Sequence, residues 1–450
     1  MTLTLNFDLI ARILEFIQDD FKLLANCSLV NSEFNLAASK LLYRRVVVSP
    51  KPESQQVLNL INPGAIPKNS NFTSAFSLRN KDHVLVLEIS GSTSTRAPPR
   101  NTLPANITKA LETFVNLRSV QFTPSTWNNQ LFTTALPILP TLLFLDDLEV
   151  NASCLDEPNA LSLSFISGLR RLSIWNPSRA ILQLLPDRLD RLSVSLVDLA
   201  LESNCGSVTP GVLKAILAHI KSNVRRFTLG LSYSLTNEDV FGFLSQLPML
   251  EHLQLHYYWQ LKPPTAQPNL RSLQFFKATF SQNQMCTKVA VFHLDKWIRQ
   301  VITRSSKLEE LQLVPSADPE DYISPISHTP LIEHICARHA NIRVLSLRGA
   351  FINATGLKRI FSTCLMIEEL SALVGSDCLT ILATHKTSLL HLHTISFQIC
   401  NTPRPRRYKV ARETVERLMN EAPFVLRRLT VNQTLWKVRS IFKSTRLISG

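Results

Sequence analysis

Glycine is scarce in this sequence, 11 among 450 residues, and no Gly-x-x-x-x-Gly-Lys-Ser/Thr run occurs. A backbone cradle for phosphates is therefore not expected. His-Glu-x-x-His and Gly-x-Ser-x-Gly are missing too, which removes common signatures of zinc peptidases and serine hydrolases. The eight cysteines (Cys27, Cys154, Cys205, Cys286, Cys336, Cys364, Cys378, Cys400) are scattered, with no Cys-x-x-Cys pair. That spacing suits neither a zinc site nor a disulfide framework, and it fits buried free thiols in a reducing compartment. Long apolar runs are also lacking. Pro137 and Pro140 break the stretch Leu131–Leu145, and Asp8, Arg12 and Glu15 interrupt the first apolar segment. Neither a membrane span nor a secretory leader is expected. His252 and His256 flank an expected strand, so their i, i+4 spacing carries no helical geometry; His334 and His339 fall five apart on an expected helix, which points them to different sides; His391 and His393 have no carboxylate or cysteine at ligand spacing. The expectation is a non-enzyme without metal or cofactor.

What is present points to repetition. Proline reaches 25, and 45% of residues are hydrophobic against 18% charged, the balance of a folded chain with many short elements. At this length one core is not enough, so the chain is either several domains or a repeat array. The net charge of +14 is uneven: residues 1–50 are neutral, whereas residues 401–450 carry +9. A basic end can hold RNA, an acidic partner or an import receptor, or serve solubility alone.

The hexad apolar-x-x-apolar-x-apolar recurs thirteen times between residues 84 and 431. Clear copies begin at Leu117, Leu169, Leu189, Val224, Leu250, Leu270, Leu308, Ile342, Leu392 and Leu426, with weaker ones at Val84, Leu145 and Ile367. The spacing averages about 28 residues, within the range of leucine-rich repeats. Each hexad reads as a short strand whose fourth and sixth residues point inward. Helix signals lie between them: Thr209-Pro210 before Val212–Lys221, Thr329-Pro330 before Leu331–Arg338, and Thr236 with Asp239 before Val240–Leu247. The asparagine usual after the strand is replaced by Pro177, Ser232, Tyr258 and Ala350. The expected fold class is α/β: an irregular leucine-rich-repeat solenoid over 83–450, parallel strands on the concave face and helices on the convex one. A linker over 47–82 joins it to a small all-α module over 1–46.

That module has apolar residues at 9, 10, 13, 14 and 17, then helical periods over Phe21–Leu29 and Phe34–Leu42. Leu5, Asp8, Leu9, Ile10, Ile13, Leu14, Leu23, Leu24, Cys27-Ser-Leu-Val-Asn31, Phe34, Ala37 and the closing Leu41-Leu-Tyr-Arg-Arg-Val46 resemble a fungal-type F-box. Asn6 departs from the family's proline and Phe34 from its tryptophan. With the repeats behind it, the chain resembles the F-box/leucine-rich-repeat proteins. The resemblance implies Skp1 binding through Leu5, Leu9, Ile10, Ile13, Leu14, Leu24, Val30 and Phe34. It further implies a link through Skp1 to a cullin, catalysis in partner subunits, capture of a protein substrate on the repeats, and a place in cytoplasm or nucleus. The alternative is a leucine-rich-repeat scaffold or nucleic-acid-binding protein without a ligase role. Nucleic acid is not the expected ligand, because few aromatics, Tyr408 and Trp436 among them, are interleaved with the basic residues of that end.

For the substrate, hexad register places Arg171, Arg191 and Arg226 at one outward position of three successive strands. Three adjacent guanidiniums repel unless an anion faces them, so an acidic or phosphorylated partner is expected. Trp175, His252 and His256 extend that surface, with Tyr257–Trp259 beside it.

Overall fold

A computed structural model describes residues 6–49, 71–93, 102–262, 264–281, 285, 287–316, 326–400, 410–420, 426–432, 434–441 and 444–449. They fall into two compact units, residues 1–208 with 218–223, and residues 209–217 with 224–450.

The first unit opens with three helices, α1 (Phe7–Glu15), α2 (Phe21–Cys27) and α3 (Ser32–Leu42). Each is too short to persist alone, and each begins on a side-chain cap. Asn6 accepts from the Asp8 N–H, Asp20 from Leu23 and Asn31 from Phe34. Such caps contribute about 1 kcal/mol apiece. Asn6 thus starts the first helix by hydrogen bonding. Ile10, Leu14, Leu24, Ala37, Ala38 and Leu42 close the small core between the helices.

The parallel ladder begins earlier than the hexads indicate, at β1 (Arg45–Val48), the end of the F-box-like block. It continues in chain order through β2 (Val86–Ser92), β3 (Ser119–Thr126), β4 (Asp147–Asn151), β5 (Arg171–Trp175) and β6 (Asp198–Asn204). Between strands lie α4 (Phe72–Ala75), α5 (Leu103–Thr113), α6 (Glu157–Ser162), α7 (Arg179–Leu192) and short 3₁₀ turns. The fourth and sixth hexad residues do point inward. Leu87 and Ile89, Val120 and Phe122, Leu148 and Val150, and Leu172 and Ile174 are each at most 1% exposed.

Helix α8 (Pro210–Ile220) contributes residues to both units. In the second unit β7 (Arg226–Leu231), β8 (His252–Tyr257), β9 (Phe275–Phe280), β10 (Glu310–Pro315), β11 (Val344–Ile352), β12 (Glu369–Val374), β13 (Thr394–Ile399) and β14 (Arg428–Val431) run parallel in chain order. Helices α9 (Asn237–Leu244), α10 (Lys288–Ile302), α11 (Thr329–Arg338), α12 (Ala354–Thr363), α13 (Cys378–His385) and α14 (Arg412–Asn420) alternate with them. Thr236 and Asp239 form the expected capping box before α9. At the end the chain reverses: β15 (Thr434–Ile441) and β16 (Ser444–Ser449) pair antiparallel, covering the edge that β14 would expose. One strand and one helix per step, parallel and in sequence, is a leucine-rich-repeat architecture in each unit.

Two hexads are misplaced, and one helix cap lies a residue early. Leu189–Val194 is not a strand. Leu189 and Leu192 are buried as i, i+3 neighbours on α7, whereas Val194 is 90% exposed. The strand follows at β6, whose own hexad is Leu196-Val-Asp-Leu199-Ala-Leu201, all three apolar positions buried. Apolar residues three apart satisfy a helix as well as the first half of the hexad; the Ser178 cap on the Ile181 N–H decides for the helix. Leu270 lies three residues early, since Phe276 pairs with Leu253 and with Leu311, which makes Leu273 the first hexad position. The cap position of α11 is His328 rather than Thr329, with Pro330 inside the first turn.

Two pairs of buried polar side chains link elements of the second unit. His328 lies 2.6 Å from Asp295, both almost fully buried, and ties α11 to α10. Trp297 donates to Asn237 at 3.0 Å. His339, the cap closing α11, differs: it is 4% exposed and neither ring nitrogen has a hydrogen-bond partner among the described residues. Its ring lies 5.7 Å from His334, so these two histidines meet rather than diverge. Burial, aided by Arg338, brings the His339 pKa down to about 4. Burial and then the charges of His339, Arg338 and Arg299 do the same for His334.

Two outcomes follow. Replacing Leu199 by Ala should cost about 2–5 kcal/mol, while Val194→Ala should cost under about 0.5 kcal/mol, in denaturant unfolding followed by circular dichroism. Equal losses would return the strand to 189–194. For the histidines, the folded pKa lies below the ordinary 6.5, so the unfolded chain takes up protons first. Their contribution is intact above pH 6.5 and is lost as pH falls from 6.5 toward 4. Melting temperature should drop across that window, and less steeply in His339→Leu; identical slopes would exclude His339 as the cause.

Candidate functional site

The helical module exposes more large apolar side chains than it buries. On α1 and its C-cap residue, Leu9, Ile13 and Phe16 are 49%, 46% and 90% exposed, at spacings of four and three that place them on one stripe. Phe21 and Leu23 on α2, Leu29 and Val30 in the following turn, and Leu36 on α3 are also at least 41% exposed. Of the residues expected to contact Skp1, the structure therefore leaves Leu9, Ile13 and Val30 available, with Phe34 half-buried. Ile10, Leu14 and Leu24 are at most 1% exposed and hold the module together instead. Leu5 lies outside the described residues. Phe16, Phe21 and Leu36 went unread because helical periodicity finds the core stripe, and a second apolar stripe has no structural role to betray it.

The second candidate surface is the outward face of the first unit's strands. Register sets one row as Arg45, Val86, Ser119, Asp147, Arg171 and Asp198, and the next as Val47, Glu88, Gln121, Glu149, Ser173 and Ala200. Trp175 follows, opposite Glu202. The arginine row does not exist. Arg171 lies between two carboxylates, 3.9 Å from Asp147 and 3.7 Å from Asp198. Arg191 is on the last turn of α7, where its guanidinium donates to the Ser164 carbonyl at 2.9 Å. Arg226 begins β7 in the other unit and is exposed. The indole of Trp175 donates to Glu149 at 2.7 Å, and the Ser173 hydroxyl to Glu202 at 3.2 Å. Burial pushes the Glu149 carboxyl above its ordinary range; the Trp175 hydrogen bond opposes that shift, and the charge of Glu202 adds to it.

In the second unit His252 and His256 both lie on β8, facing outward and half-buried. Burial lowers both pKa values, with Arg226 adding to the effect at His252, whose ring packs 5.5 Å from that of Phe275. Tyr257 is not a surface residue: it is 4% exposed and packs 5.2 Å from Trp297. Tyr258 meets Tyr233 edge-on, and Trp259 remains 42% exposed. Of the two aromatics named at the basic end, Tyr408 lies outside the described residues and Trp436 is 4% exposed, leaving it no free face for a base.

Among the described residues no three His, Cys, Asp or Glu side chains gather to hold a metal, and no helix is long and apolar enough to cross a membrane. The seven described cysteines are free thiols, six of them buried. Burial pushes Cys154 and Cys378 up to about 12 and Cys400 to about 11, far from the thiolate range of reactive cysteines.

No family model matches the sequence, and no curated protein matches it. Among solved structures, the leucine-rich repeat-containing protein LegL7 of Legionella pneumophila is 10% identical, over 84% of this chain and 98% of its own, with a TM-score of 0.36. A leucine-rich-repeat protein of Leptospira interrogans is 13% identical, over 85% of this chain and 88% of its own, with a TM-score of 0.29.

The exposed stripe makes a direct prediction for folding. Leu9→Asp and Ile13→Asp should leave the chain folded, with melting temperatures near the wild type's, because neither side chain fills the module's core. Ile10→Asp, which forces a carboxylate into that core, should cost several kcal/mol and abolish protection of α1 in hydrogen exchange. Unfolding by Leu9→Asp would show that the stripe is structural.

Proposed function

We propose that this chain is a substrate-recognition subunit of a Skp1–cullin–F-box ubiquitin ligase. On this reading the helical module docks onto Skp1, the repeats hold a protein substrate, and the chain itself catalyses nothing. The observation that carries it is the apolar stripe of Leu9, Ile13 and Phe16, with Leu29 and Val30, left uncovered on a module with so small a core. Exposed apolar area of this extent costs solubility unless a partner covers it, and each such side chain contributes about 1.5–3 kcal/mol when fully buried. The motif residues on the same helices resemble an F-box, and that resemblance is what points to Skp1 as the partner. Free, buried thiols suit the reducing cytoplasm or nucleus where such a ligase would act.

A runner-up, a repeat scaffold without a ligase role, would need no partner at residues 7–42. Co-purification of the full chain with Skp1 separates the two. Wild type should capture Skp1, and Leu9→Asp with Ile13→Asp should weaken capture about a hundredfold or more, since two carboxylates then enter an apolar contact. Folded variants that capture Skp1 as wild type does would refute the F-box reading.

A further inference from the structure

We propose that the outward strand face of the first unit is a docking surface for a lysine- or arginine-rich protein segment, seated on Trp175 between Glu149 and Glu202. This deepens the reading of the repeats as the substrate-holding part, and it reverses the partner's charge expected from sequence.

The outward positions of β1–β6 carry Glu88, Asp147, Glu149, Asp198 and Glu202 against Arg45 and Arg171. That face is acidic on a chain whose net charge is +14, so it stands against the composition rather than following from it. The two arginines are already engaged: Arg45 pairs with Glu88, and Arg171 sits between Asp147 and Asp198. Glu149 and Glu202 are held differently. Among the described residues neither has an ion pair; their hydrogen bonds come from neutral donors, the Trp175 indole and the Ser173 hydroxyl. Across β5 the charge of Glu202 acts against that of Glu149 and outweighs the opposing pull of Arg171, so the two carboxylates stand at an electrostatic cost that an arriving cation would remove.

The shape of the place agrees with that ligand. Trp175 stands outward on β5, half-buried, with Glu202 opposite it on β6 and Glu149 diagonally across on β4. Small residues, Ser173 and Ala200, occupy the next outward positions and are covered by their neighbours. An indole beside two carboxylates offers a cation both a ring face and anionic oxygens, contacts worth about 0.5–2 kcal/mol and more once water is excluded. The same field repels phosphorylated peptides, nucleic acid and anionic lipid. A basic protein segment is the partner that remains.

The test uses the full chain and fluorescence anisotropy with three labelled probes: a Lys/Arg-rich peptide, the same sequence with neutral residues, and a phosphoserine/glutamate counterpart. The basic probe should bind, with affinity falling as salt is added, and the other two should not. Glu149→Gln with Glu202→Gln should weaken it about tenfold or more, and Trp175→Phe severalfold. Glu112→Gln with Glu157→Gln removes the same charge from exposed helix positions and should change nothing. Failure of the basic probe to bind, equal loss in the helix control, unchanged binding by the folded Glu149/Glu202 variant, or tighter binding of the phosphorylated probe would each overturn the proposal. Skp1 capture is read separately in the same samples. Its loss would refute the ligase reading and leave this binding intact, and its retention with no peptide binding would do the reverse.

Discussion

Everything in the two repeat units depends on the pair of inward apolar side chains that each strand contributes. One strand and one helix cannot enclose that pair, so it leaves water only when the next repeat's pair lies against it. The parallel ladder follows, because pairs align only if successive strands share register, as Leu148 does with Val120 on one side and Leu172 on the other. A repeat of this kind spends its inward positions on packing and leaves its outward ones unconstrained by the fold. Those outward positions are therefore where function can be written. The acid-bearing face around Trp175 is one result of that freedom, and the hydroxyl and amide row of the second unit, Gln312, Ser346, Ser371 and Ser396, is another.

The same constraint explains how much could be read beforehand. Most hexads located their strands because burial of the fourth and sixth residues is what the pattern encodes. Leu189–Val194 misled because its first two apolar residues, three apart, serve a helix equally well, and the Ser178 cap and the exposure of Val194 separate the cases. That one error changed the chemistry of the surface. With α7 taken as a strand, Arg191 entered the outward row and Asp198 and Glu202 were left out of it. A face now seen to be acidic then read as basic. Leu270 erred differently, since Leu270 and Leu273 are both buried and the sequence carries two overlapping hexads. Neither ambiguity can be resolved without knowing which strand lies alongside.

The helical module inverts the logic of the repeats. Its caps, Asn6, Asp20 and Asn31, fix three short helices locally, yet its core is six mostly small or medium side chains. The residues visible from sequence as a single apolar set divide in space: Ile10, Leu14 and Leu24 hold the module together, and Leu9, Ile13 and Val30 face outward. The helical period reveals the set but not its division, because both stripes satisfy it. The strand β1 then carries the module straight into the ladder through its pairing with β2, so the three helices and the first repeat share one compact unit.

The central claim is that the outward stripe on α1 is a Skp1 contact, and isothermal titration of the full chain with purified Skp1 at several temperatures measures it most directly. Burial of that stripe predicts a saturable, equimolar association with a clearly negative heat-capacity change, the mark of apolar surface leaving water. Hydrogen exchange on the same complex should show new protection over residues 7–16. A titration with no heat at any temperature and no new protection on α1 would contradict the account.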